Sequence, residues 1–126
     1  MQVRTSVDAY VYCFYHQWDG SIIKLFPNRF RPSARRPAAE LLTIPGDDQY
    51  SIALDTPDTR ERVMCVTSRS DLDAALRQSN NPQLLRELVD KDLEPISADT
   101  LEGIYGVYLS AAKTRPLFRI IDIEIR

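Results

Sequence analysis

A single histidine, two cysteines and four glycines leave this chain of 126 residues little material for several kinds of chemistry. Any Ser-His-Asp or Cys-His arrangement must use His16, the only imidazole. Cys13 lies three positions away in a strand-like run, and residues three apart on a strand point to opposite faces, which disfavours a local Cys13–His16 dyad. Cys65 reaches His16 only if their strands are neighbours in the right register. No Cys-x-x-Cys pair occurs, so neither a zinc site nor a redox motif has local support. Cys13 and Cys65 suit buried positions as small hydrophobes, and a disulfide between them requires their strands to face one another. No apolar run approaches the roughly 20 residues of a membrane helix. The start, "MQVRTSVDAY", has neither the basic residues nor the apolar centre of a signal peptide. The expectation is either a cytoplasmic protein or one domain taken from a longer chain.

The composition is that of a folded, water-soluble domain with one core: 44% hydrophobic and 27% charged. A net charge of −2 argues against a generally basic nucleic-acid binder. The average conceals an asymmetry. Residues 20–39 carry Lys24, Arg29, Arg31, Arg35 and Arg36 without an acid, whereas residues 87–102 carry Glu87, Asp90, Asp92, Glu94, Asp99 and Glu102 against Lys91 alone. Two solvated surfaces that pair across the fold are the plain reading, and a partner site on the basic loop is the other.

The first half reads as strands. Asp8 to His16 is rich in Tyr, Val and Phe, which suit a pleated surface. Asp19-Gly20 is a hairpin turn, "SIIKLF" returns as the second strand, and Pro27-Asn28 stops it. Tyr10, Tyr12, Phe14 and His16 fall on one face and Val11, Cys13 and Tyr15 on the other. Neither face is polar, so the strand belongs inside. Residues 29–40 read as a long surface loop, "ELLTIPGDD" as a short strand and a Pro-Gly turn, "QYSIALD" as a half-buried strand, and "RVMCVT" as an interior strand.

Helical signals follow. Ser70 with Asp73 has the pattern of a capping box, and Asn81-Pro82 that of a cap followed by the first helical position. Leu84, Leu85, Leu88 and Val89 form one apolar stripe; Leu101, Ile104, Tyr105, Tyr108, Leu109 and Ala112 form another, capped by Ser97 or Asp99. Gly103 and Gly106 weaken that last helix by roughly 1 kcal/mol each relative to Ala. "PLFRIIDIEIR" alternates as a closing strand. The expected fold is α+β and mostly β: one domain over 1–126, with a β part at 8–68, a helical part at 70–112 and a closing strand at 117–126. Strands segregated from helices imply an antiparallel, sandwich-like sheet with two or three short helices before its last strand.

"DAYVYCFYHQWDGSIIKLFPNRF" and "IPGDDQYSIALDTPDTRERVMCVTS" together resemble a bacterial family, domain of unknown function 4384. The likeness rests on the aromatic strand, the Asp-Gly hairpin, "LFPN", and the strand ending "RERVMCVTS". It covers residues 8–68 well and residues 69–126 only loosely, through "DLEPISADTLEGIY". The resemblance implies an accessory module of longer bacterial chains, alongside caspase-like peptidases, kinase domains, lipoproteins and proteins of type VI secretion loci. It also implies a periplasmic or envelope setting, and it brings no catalytic residues.

Other motifs explain themselves. The acids of 87–102 lack the spacing of a calcium loop, "GDD" at 46–48 belongs to a turn, and "GIYGVY" has neither the Lys nor the preceding strand of a phosphate loop. No metal and no cofactor is expected. The expected function is a non-catalytic module that binds a protein or an envelope component, with Trp18, Arg29, Arg31, Arg35 and Arg36 as the site. The arginines would supply planar donor forks, and Trp18 a stacking face. A sugar, a peptide or a nucleic-acid strand fits such a site, nucleic acid least well. The alternatives are a small thiol hydrolase using Cys65 or Cys13 with His16, and a structural or assembly domain without a ligand.

Overall fold

A computed structural model describes residues 2–17, 19–43, 60–112 and 115–124. The strands expected across residues 49–55 and the turn at 46–48 lie outside the described residues, as does Trp18. The fold is α+β with antiparallel sheets. The strands are β1 (Gln2–Val3), β2 (Ala9–His16), β3 (Ile22–Phe26), β4 (Arg35–Arg36), β5 (Leu42–Thr43), β6 (Arg60–Ser68), β7 (Pro95–Ile96) and β8 (Leu117–Glu124). The helices are α1 (Leu72–Gln78), α2 (Pro82–Leu84), which widens into a π segment at Leu85–Asp90, and α3 (Leu101–Ala111).

The main sheet runs β7-β3-β2-β6-β8, and β4 pairs with the start of β2 beside β3. The expected hairpin is β2–β3. Gly20 at its turn has φ 91, which glycine adopts without a side-chain clash. The Asp19 carboxylate accepts from the Ser21 amide at 2.9 Å and from the Ser21 hydroxyl at 2.7 Å. These bonds hold the Asp19 carboxyl below its usual range.

Period-two alternation in β2 builds two cores, as its doubly apolar sequence requires. On one face Tyr12 and Phe14, with Met64 and Val66 of β6, pack against Leu72, Leu76, Leu101, Ile104 and Tyr108 of the helices. The Tyr108 ring lies 5.3 Å from that of Tyr12 and 6.0 Å from that of Phe14. On the other face Val11, Cys13 and Tyr15 meet Val63, Cys65, Leu25 and Phe26. The small β1–β5 ribbon adds Leu42 and Val3 there, the second layer of a sandwich-like arrangement.

Two helix starts differ from expectation. Asp71 caps α1: its backbone is extended and its carboxylate accepts from the Ala74 amide at 3.1 Å, while Ser70 bonds back to Ser68. Asp73 is thereby a residue of the first turn, not the partner of a Ser70 cap. Thr100 caps α3, its hydroxyl accepting from the Gly103 amide at 2.9 Å. Several cap-competent residues stand close together at both sites, and packing of the helix that follows selects among them. Asn81 caps α2 as expected, accepting from the Gln83 and Leu84 amides. Of the apolar stripe on α3, Leu101, Ile104 and Tyr108 are buried, while Leu109 is 41% exposed.

Candidate functional site

The four expected arginines do not converge on one ligand position, because each holds an acceptor of this chain. Arg29 clamps Asp92: its Nη2 lies 3.0 Å from Oδ1 and donates to the Asp92 backbone oxygen at 3.2 Å, and its amide reaches Oδ2. Hydrogen bonding and charge from Asp92 hold the guanidinium pKa above its ordinary value. Arg31 donates to the Thr43 carbonyl at 3.0 Å and lies 5.3 Å from the Phe26 ring centroid. Arg35 pairs with Asp8 at 3.4 Å, and Arg36 pairs with Glu40. Arg35 and Arg36 are adjacent on β4 and so face opposite ways. The Arg29–Asp92 clamp is the pairing of basic loop with acidic stretch that the charge distribution anticipated.

The register of β2 against β6 decides the fate of the thiols. Cys13 stands opposite Cys65, and the two form a disulfide with Cα atoms 4.1 Å apart. Neither sulfur is then available as a thiolate nucleophile. His16 lies opposite Arg62 at the far end of the ladder, half-buried.

Beneath α1 lies a cluster of buried ionisable groups that the sequence did not announce. Lys24, 1% exposed, sends Nζ to the Leu88 carbonyl at 2.8 Å. That carbonyl closes the π segment, so the lysine serves as its C-terminal donor. Burial pushes the Lys24 pKa down, opposed by the charges of Asp73 and Asp92. Burial pushes the Asp73 carboxyl up, opposed first by Lys24. Tyr12 accepts from the Leu72 amide at 2.9 Å, and burial raises both its phenol and that of Tyr108. Lys24 holds the end of the π segment, Tyr12 holds the start of α1 and Tyr108 packs the core, which seats α1 and the π segment on the sheet.

A groove of about 310 Å³ opens between the α2–π segment and α3. Leu88 and Ile104 floor it, Leu84 and Val107 line its walls, and Glu87 and Asp99 stand on its rim. Among the described residues no Lys, Arg or His lines it. Glu87 accepts from the Ser97 amide at 2.7 Å and pairs with Lys91 at 3.1 Å; the amide bond, ahead of the lysine, holds its carboxyl below the usual range. Asp99 is exposed and has no cationic partner among the described residues. The sequence shows both apolar stripes and the acidic bias, but not that the two stripes meet along a groove.

The family model for domain of unknown function DUF4384 matches residues 1–71, more than half of the chain. The chain belongs to that family. Comparison with the curated proteins and with the solved structures gives no match. The DUF4384 match runs from β1 through β6 and ends at Asp71, the cap of α1. The aromatic hairpin and the disulfide therefore lie within it, and the groove between α2 and α3 follows it. Among the described residues no helix is long and apolar enough to cross a membrane, and no cluster of three or more metal-ligating side chains occurs.

Proposed function

We propose that this DUF4384 domain is a non-catalytic accessory module of a larger bacterial protein, and that it binds an apolar segment flanked by basic residues in the groove between α2 and α3. The observation that carries the reading is the composition of that groove: an apolar floor, a rim bearing Asp99 and the Lys91-paired Glu87, and no Lys, Arg or His in its lining among the described residues. A volume of about 310 Å³ is at the bottom of the roughly 300–1,000 Å³ span of small-molecule sites and suits one or two anchoring side chains. The surrounding charge favours Lys or Arg beside the anchor, since complementary potentials steer encounter and reject wrong partners. The arginines of 29–36 serve the loop in this reading, because each is engaged within the chain. The disulfide supports a non-catalytic role, by occupying both thiols, and a periplasmic or secretion-associated setting, because cytosolic thiols are kept reduced.

Panning a random peptide library against the immobilised domain tests the proposal. Enriched peptides should carry Leu, Ile or Phe beside Lys or Arg, and should lose binding to Val107→Arg and to Asp99→Lys. Peptides that bind both variants as well as the wild type, or an enriched set without basic residues, would overturn it.

A further inference from the structure

At the opposite end of the sheet a surface cavity of about 570 Å³ gathers three arginines, Arg4, Arg69 and Arg115, and no carboxylate lines it among the described residues. Arg4 follows β1, Arg69 follows β6 and Arg115 precedes β8. The β6–β8 ladder ends with Thr67 opposite Leu117, and Arg69 and Arg115 each lie two residues beyond that last pair. The arginines at 29, 35, 36 and 62 each have a carboxylate partner, whereas the exposed Arg77 and Arg86 have no ion-pair partner among the described residues. Among the described residues, Arg4, Arg69 and Arg115 have none.

A second observation points the same way. The Thr5 hydroxyl oxygen lies buried at this cavity without a hydrogen-bond partner among the described residues. The backbone around it is fixed, since the Thr5 carbonyl accepts from the Ala39 amide at 2.8 Å. A buried hydroxyl without a partner costs free energy unless a ligand or water supplies one. Beside the arginines Leu117 is 68% exposed. The site thus combines three guanidinium forks and an apolar shoulder, with the Thr5 hydroxyl enclosed beside them.

We infer that this cavity binds a phosphate monoester, its dianionic phosphate between the three guanidinium groups and its organic group against Leu117. Guanidinium forks match the oxygens of phosphate, and three guanidinium charges around one cavity suit a dianion better than a single carboxylate. The phosphate belongs either to a soluble ester or to a lipid headgroup such as phosphatidic acid, and the two sources are separable.

The test starts with inorganic phosphate, titrated into the protein at constant ionic strength against chloride while the thermal midpoint is followed. A saturable rise is expected. Arg69→Gln/Arg115→Gln should melt close to wild type in chloride, since both side chains are exposed and neither holds an ion pair among the described residues, and should lose the rise. Arg4→Gln, on an exposed segment, should weaken phosphate binding by about tenfold, the worth of one charge-assisted hydrogen bond. Co-sedimentation with phosphatidylcholine vesicles containing phosphatidic acid separates the sources: pelleting that phosphate competes away assigns the headgroup, and saturable phosphate binding without pelleting assigns a soluble ester. A non-saturable rise, or one that the Arg4→Gln and double variants share with wild type, would overturn the inference.

Discussion

Breaking the Cys13–Cys65 disulfide should cost this domain a large fraction of its stability. The bond joins residues 52 apart in sequence, across two strands at the centre of the main sheet. A cross-link closing a loop of that length removes about 14 cal/mol/K from the unfolded chain, or about 4 kcal/mol at 25 °C. Domains of this size are stable by only about 5–15 kcal/mol. Replacing both cysteines by Ala also deletes two buried sulfurs, Cys13 being fully buried and Cys65 9% exposed, so packing loss adds to the entropic term. Urea unfolding of the wild type, oxidised, and of Cys13→Ala/Cys65→Ala measures the difference. The variant should unfold at markedly lower urea and with a steeper slope, because an uncross-linked chain exposes more surface. A loss below about 1 kcal/mol together with two titratable thiols in the native wild type would refute the reasoning.

Three further outcomes follow from the helical layer. Gly106→Ala should stabilise α3 by up to about 1 kcal/mol, since a Cβ there meets nothing within 4 Å; Gly103→Ala should gain little or lose stability, because its Cβ would sit 2.9 Å from the Thr100 hydroxyl that caps the helix. Equal gains in thermal melts would remove Thr100 from the cap. Lys24→Met should cost about 1–3 kcal/mol in urea, as the buried Leu88 carbonyl loses its ammonium donor, and an unchanged midpoint would contradict that bond. Asp73→Asn tests a sign. The folded Asp73 pKa is raised above 3.8, so folded protein binds more protons than unfolded between those two values. Wild-type stability relative to Asp73→Asn should therefore fall as pH rises from 3.8 through the folded pKa and level off above it; a gap moving in favour of wild type over that range would reverse the assignment.

The legible parts of this fold are those where local pattern and tertiary need coincide. The alternation of Tyr12 and Phe14 with Val11, Cys13 and Tyr15 told of a strand buried on both faces, and each set occupies its own core. Asp19-Gly20 and Asn81-Pro82 are local devices, so the turn and the α2 cap were readable where they stand. The disulfide was not, because it depends on a register that brings together residues 52 apart. Lys24 looked like a solvent-facing member of a basic loop; it is buried because its ammonium reaches the carbonyl of Leu88, 64 positions on. The arginines of 29–36 looked free because charge runs say nothing about partners such as Asp92 and Asp8, which only the folded chain supplies. The groove escaped for the same reason: its walls come from two helices whose apolar residues read individually as core.

The most direct test of the binding role is an NMR titration of isotope-labelled domain with a short Leu/Lys peptide and with its Leu/Glu counterpart. The Leu/Lys peptide should shift amides within 81–88 and 97–107, saturate, and lose its effect on Val107→Arg, while the Leu/Glu peptide leaves the spectrum unchanged. Shifts elsewhere in the sheet, or equal responses to the two peptides, would contradict an acid-rimmed groove as the place where this DUF4384 domain meets its partner.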